Sequence, residues 1–149
     1  MVIFMKWSIQ QLQKLTTKPY EFSYDVDYTD LAKEVSDIIE IKPVHVKGFI
    51  SYVKYGSYRI KYSVEANLVL ECSLTLEPVD YKFTGDYDEI FSNEPTDDEF
   101  LIENNTIDLD AAVWSNIIID KPIAVRREDA YEILKARGID LNESFDDEE

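Results

Sequence analysis

Few side chains in this 149-residue chain could do chemistry. There is one histidine, His45, and one cysteine, Cys72. His45 lies in an alternating run, on the face opposite Val44 and Val46, where an isolated surface or edge imidazole is the ordinary outcome. Cys72 shares the phase of Leu70 and Leu74, and a cysteine so placed packs as a small hydrophobe. No histidine stands beside it in sequence to generate a thiolate. A structural zinc site would have to be rich in carboxylates, an unusual donor set. Carboxylates number thirty-one, so a pair of them carries no information. Asp97-Asp98-Glu99 has the charge to hold a divalent cation, yet Asp86 to Asp110 does not match the calcium-loop pattern, and Gly85 is misplaced for it. With four glycines in all, there is no phosphate loop, nucleophile elbow or dinucleotide fingerprint. No catalytic, cofactor or metal residue is assigned, and an enzyme is disfavoured.

Binding residues are better represented. Lys47, Arg59 and Lys61 fall on the polar face of a strand pair, with Lys54, Tyr52, Tyr55 and Tyr58 close by. Cations among aromatics on a sheet suit RNA backbone and bases. The same residues also suit a solvated sheet face balanced by Glu65 and Glu71, and this plainer reading is preferred. The acidic residues are more telling. The formal charge is −16. Residues 1–66 hold nine Lys and Arg against eight Asp and Glu, whereas residues 67–149 hold six against twenty-three. From Phe83 to Asp120 there are eleven acidic residues and no basic one. Such a segment repels polyanions and attracts a basic partner. It also serves plain solubility. Asp97, Asp98 and Glu99 are its densest cluster.

These residues need a scaffold, and one stretch supplies it. From Tyr58 to Leu76 every even position is apolar or aromatic, and of the odd positions only Val69 is apolar. Alternation of this kind makes a strand with one dry and one wet face, favouring antiparallel pairing. Nineteen residues would span about 60 Å if straight, so a bend, a bulge or two consecutive strands are expected. The expected fold is α+β and mainly antiparallel, a strongly curled β-meander or open barrel with short peripheral helices.

The rest of the chain fits around that run. Ser8 and Gln11 form a capping-box pattern ahead of a short helix closed by Pro19. Tyr20 to Val26 alternates as a strand. Thr29 can cap a second helix, in which Leu31, Val35, Ile38 and Ile39 form a stripe that Pro43 stops. Val44 to Tyr52 alternates again, and Gly48 within it signals a bulge or a close backbone approach. Lys54-Tyr55-Gly56-Ser57 is a hairpin turn. After Pro78 the apolar phase moves to Val79, Tyr81 and Phe83, and a turn is expected at Gly85-Asp86. Residues 86–105 read as an acidic loop. Asn105 or Thr106 then caps a helix whose buried face is Leu109, Val113 and Ile117, although Ile117-Ile118-Ile119 also suits a short strand. Glu128 to Arg137 is a last helix, stopped by Gly138. Residues 1–141 are expected to form a single domain and 142–149 a disordered acidic tail. Met1 and Met5 are both possible starts. No signal peptide or membrane span is apparent, and a single cysteine suits a reducing cytoplasm.

Two stretches together resemble a known family. They are Ala66-Asn67-Leu68-Val69-Leu70-Glu71-Cys72-Ser73-Leu74-Thr75-Leu76-Glu77-Pro78 and Ile107-Asp108-Leu109-Asp110-Ala111-Ala112-Val113-Trp114-Ser115-Asn116-Ile117-Ile118-Ile119-Asp120-Lys121-Pro122. Their order, spacing and acidic intervening loop resemble the YceD family, the large ribosomal RNA subunit accumulation proteins of bacteria and plastids. The residues that carry the likeness are Glu71, Cys72, Ile107, Asp108, Leu109 and Pro122. The chain departs from the family pattern at Leu74, where Arg is frequent, and at Thr75, where a second Cys is frequent. It also lacks cysteine near 136–142, so a metal or redox role gains no support.

The resemblance implies a non-enzymatic cytoplasmic factor that supports accumulation of large-subunit ribosomal RNA and ribosome assembly. The implied partner is a basic large-subunit ribosomal protein or a pre-ribosomal particle, with local contact to ribosomal RNA as a second mechanism. The alternative of a different class is an acidic nucleic-acid mimic that inhibits a nuclease or DNA-binding protein. No cofactor and no membrane enter either reading.

Overall fold

A computed structural model of the chain describes residues 5–122, 124–126 and 129–138. Its centre is the alternating run. Strand β4 (Val44–Lys54) and strand β5 (Ser57–Glu71) form the expected hairpin, and Gly56 takes a positive φ of 76° at the turn. Strand β2 (Tyr20–Val26) pairs with β4 along its whole length. Strand β6 (Pro78–Ser92) pairs antiparallel with all fifteen residues of β5. The short strand β7 (Phe100–Leu101) adds in parallel to β6. The order is β2-β4-β5-β6-β7, and β3 (Ile38–Ile41) also pairs with β5. Strands β1 (Lys6–Ser8) and β8 (Thr106–Asp108) make a separate two-stranded ribbon. The fold is thus α+β and mostly antiparallel. Its main sheet is open, ending at β2 and β7, and is neither closed nor strongly curled as expected; β4, β5 and β6 follow one another in it as antiparallel neighbours.

The even residues of β5 from Tyr58 to Leu70 are all buried. Helix α3 (Leu109–Asp120) buries Leu109, Val113 and Ile117 in the same core. Asp108 caps it by accepting from the Ala111 amide at 3.1 Å. Helix α1 (Ile9–Leu15) opens with the expected capping box, in which Ser8 Oγ and Gln11 Oε1 each accept the other residue's amide. Helices α2 (Thr29–Ala32) and α4 (Ala130–Ala136) are short, and Gly138 ends the latter's turn with φ 84°. No helix among the described residues is long and apolar enough to cross a membrane.

Several expectations are corrected. The second helix stops at Ala32, and Ile38 and Ile39 belong to β3. Its first turn is anchored by Asp27, which accepts from the Thr29 amide at 2.9 Å, and Thr29 is not the N-cap. No turn forms at Gly85-Asp86. The strand runs through it to Ser92, so the expected acidic loop of 86–105 starts only after that residue and is interrupted by β7. Gly85 is small because a Cβ there would lie 2.7 Å from the Tyr87 hydroxyl. The third helix is capped by Asp108 and not by Asn105 or Thr106, since Thr106 to Asp108 is taken by β8. Ile117 to Ile119 are helical. The long run ends at Glu71 as a strand and closes in a turn, where Leu76 amide donates to Cys72 carbonyl at 2.9 Å and Leu76 takes φ 64°. The expected tail at 142–149, the Met1 start and Glu128 lie outside the described residues.

Candidate functional site

The outer face of the sheet is built in cross-strand rows. One row reads Ser23, Lys47, Ser63, Asp86 from β2 to β6, and the next reads Glu21, Phe49, Lys61, Asp88. Lys47 and Lys61 are therefore diagonal neighbours, as the alternation requires. Together these rows line an open groove of about 820 Å3. Arg59 follows Lys61 by two residues on the same face. Its Nε donates to Asp88 Oδ1 at 2.7 Å and its Nη2 donates to the second oxygen, a two-pronged pair. That pair, with Lys61 nearby, holds the Asp88 carboxyl below its ordinary range. Ser63 donates to Asp86 at 2.6 Å. The structure thus unites Lys47, Arg59 and Lys61 on one face, and it matches them there with Glu21, Asp86 and Asp88. His45, on the same face, lies between Asp25 and Glu65, with Nδ1 2.8 Å from Asp25 Oδ1.

Asp97, Asp98 and Glu99 occupy a different place. They sit on the loop between β6 and β7. Asp97 and Asp98 are exposed, and Glu99 Oε1 accepts from the Thr96 amide at 3.1 Å, which folds the loop on itself. The loop starts against the β4–β5 hairpin, since Asn93 amide donates to Gly56 carbonyl at 2.9 Å. No basic side chain lies between Phe83 and Asp120 to neutralise it internally.

The residues that carry the family likeness do structural work. Cys72 is fully buried and bridges Val125 in parallel, while Ser73 amide donates to Val125 carbonyl at 2.8 Å. Asp108 caps α3, and Ile107 and Leu109 are core residues. Pro122 follows the C-cap Lys121. The two stretches meet at Asp37, which the sequence reading overlooked. Its carbonyl accepts from Glu71 amide at 2.9 Å, and its carboxylate accepts from Lys121 Nζ at 2.6 Å. Arg137, the C-cap of α4, adds a clasp, donating to Thr75 carbonyl at 3.1 Å and to Glu77 Oε1 at 2.5 Å.

A second overlooked group ties α3 to the sheet. Tyr62 donates to Glu89 at 2.5 Å, and Asn116 Nδ2 donates to the Tyr62 hydroxyl at 2.7 Å and to Glu89 Oε2 at 3.0 Å. Tyr87 donates to Asp120 at 2.6 Å. Burial, then Glu89, raises the Tyr62 phenol far above its ordinary range, so it stays a neutral donor. The signal was present: Glu89 stands in the dry phase of β6, and Asn116 on the buried side of α3. Among the described residues no group of three or more His, Cys, Asp and Glu could hold a metal ion.

Residues 60–149 match the family described as "Large ribosomal RNA subunit accumulation protein YceD". A protein of Bacillus subtilis (strain 168), named "Uncharacterized protein YlbN", is 32% identical over 133 residues, covering 86% of this chain and 77% of that protein. No solved structure matches the chain.

Proposed function

The chain belongs to the YceD family of large ribosomal RNA subunit accumulation proteins, and from that membership we propose that it is a non-enzymatic cytoplasmic factor supporting large-subunit ribosomal RNA accumulation by binding a basic ribosomal protein or a pre-ribosomal particle. The observation that carries the partner's chemistry is the placement of charge. The cations on the outer sheet face are matched by acids on the same face, Arg59 by Asp88 above all. The acids of the β6–β7 loop have no such match within their own segment. A polyanion would meet a balanced or repulsive surface, whereas a basic protein would meet an open one. Direct contact of RNA with Lys47, Arg59 and Lys61 would first require breaking the Arg59–Asp88 pair. The mimic reading draws on Asp86 and Asp88, which are spaced along a regular strand. Lys61 and Arg59 interrupt that acidic row, so it is the weaker reading.

The test is a sucrose-gradient profile of lysate at low and moderate salt, blotted for this protein, beside ribosomal RNA levels in a deletion strain. Co-migration with immature large-subunit particles is the expected result. Sedimentation only at the top, with normal ribosomal RNA in the deletion strain, refutes the assembly role.

A further inference from the structure

Four aromatic residues form one row across four strands: Tyr52 of β4, Tyr58 of β5, Phe91 of β6 and Phe100 of β7. The inner two are buried, and they hold the outer two. Tyr52 meets Tyr58 edge-on at 5.9 Å, and Phe100 stacks on Phe91 at 5.2 Å. The outer rings stay open to solvent, Tyr52 54% and Phe100 44% exposed. Tyr55 in the adjoining turn is 79% exposed and Leu101 of β7 is 54% exposed. Exposed apolar groups gathered at one end of a sheet mark an interaction surface more than isolated ones do. Rings fixed by buried rings also lose little freedom on binding, which suits interface anchors.

The acidic loop lies among them. It leaves the hairpin turn beside Tyr55, through the Asn93–Gly56 hydrogen bond, and it ends directly at Phe100 and Leu101. Exposed apolar side chains therefore stand at both ends of the loop that carries Asp97 and Asp98, Tyr55 in the hairpin turn where it starts and Phe100 and Leu101 where it ends. Strand β7 is also an edge strand of the sheet. We propose that this end of the sheet is the docking surface for a Lys- and Arg-rich segment of a partner protein that also carries apolar side chains. The apolar groups would seat on Tyr55, Phe100 and Leu101, and the cations would face Asp97, Asp98 and Glu99. This inference rests on the basic-partner reading above and adds a location and a second, apolar half to the recognition. Single-stranded RNA could stack on the same rings, but the neighbouring carboxylates repel its phosphates.

The experiment measures fluorescence anisotropy of three labelled probes against the full chain. The first is a 12-residue peptide alternating Lys or Arg with Leu or Tyr. The second has the same charge, with Ser and Gly in the apolar places. The third is a 12-nucleotide single-stranded RNA. Two variants accompany them, Y55S/L101S and D97N/D98N/E99Q, each checked by far-UV circular dichroism and a thermal melt. Both substituted apolar side chains are at least half exposed, so folding is expected to survive. The expected result is about tenfold weaker binding of the first peptide by Y55S/L101S with an unchanged salt slope. The acidic variant should bind weakly to both peptides and show a flatter salt dependence. If Y55S/L101S binds as the natural chain does while the acidic variant weakens, the docking surface is refuted and the basic-partner reading survives. If neither peptide binds at millimolar concentration, or neither variant changes binding, both are refuted. RNA binding that depends on Tyr55 and Leu101 overturns the proposal in favour of a nucleic-acid surface.

Discussion

Asp37→Ala is the most informative single change to the scaffold. Asp37 joins the two family stretches, one through its carbonyl and the other through its carboxylate. The substitution removes only the second link. The Lys121 side chain is 10% exposed and that of Asp37 is 34% exposed. Breaking a fully buried ion pair costs about 3–5 kcal/mol, because the remaining charge is stranded. Here the lysine is nearly buried and the aspartate is partly wet, so Asp37→Ala should cost about 2–3 kcal/mol. Lys121→Met strands only the wetter partner and should cost about 1 kcal/mol, its apolar body filling the lysine stem's place. The double variant should fall close to Lys121→Met alone, since no charge is then left to strand. Urea unfolding followed by circular dichroism measures all three. For a chain of this size, 2–3 kcal/mol corresponds to a drop in Tm of about 5–10 °C. Equal costs for the two single variants, adding without coupling in the double, would refute the reasoning.

Gly48→Ala should destabilise strongly. A Cβ at Gly48 would lie 2.1 Å from the Lys61 carbonyl oxygen and 2.7 Å from the Tyr62 Cα, so backbone must move, and a thermal melt should show the largest loss of any alanine substitution on β4. Tyr58→Phe should stabilise by about 1 kcal/mol in urea unfolding, because the Tyr58 hydroxyl is buried without a hydrogen-bond partner among the described residues. Asp110→Asn should stabilise at pH 7 and become neutral at strongly acid pH. Burial raises the Asp110 carboxyl above its ordinary value, so the folded state holds its proton longer, and stability falls as pH rises from the ordinary carboxylate value through the raised one. Melts from pH 3 to pH 7 that run parallel for the two proteins would contradict this.

The strands were legible wherever one face is dry and the partner is local. Tyr20 to Val26 and the β4–β5 hairpin follow directly from alternation and Gly56. What escaped depends on the length of β5. Strand β4 covers that strand only as far as Glu65, so the edge from Leu68 to Leu70 needs another partner. Strand β3 supplies it and draws Ile38 and Ile39 out of a helical-looking stripe. Pairing over all of β5 likewise carries β6 through Gly85, although Tyr87 and Phe91 kept the phase of Val79, Tyr81 and Phe83 and could have revealed it. The end of β5 was hidden because its turn uses Leu76 at positive φ, where glycine would be the usual signal. On the surface, alternation placed Lys47, Arg59 and Lys61 on one face. Of their acidic neighbours on that face, Glu21 comes from β2, and Asp86 and Asp88 come from β6, whose register no local pattern states.

This division bears on where function should be sought. The residues that carry the family likeness are largely those that close the scaffold: Cys72 against Val125, Asp108 at the head of α3, Ile107 and Leu109 in the core, and Glu71 on the Asp37 carbonyl. None of them is an exposed group set apart for a ligand. A signature of this kind reports that the sheet, α3 and the closing turn fit together, and substitution within it should act through stability. The proposed recognition lies instead in the segment strung between the two stretches, where the β6–β7 loop carries charge and β7 exposes Phe100 and Leu101. On that proposal, Asp37→Ala and D97N/D98N/E99Q separate. The first should lower Tm while leaving the partner affinity of the folded fraction intact, and the second should do the reverse.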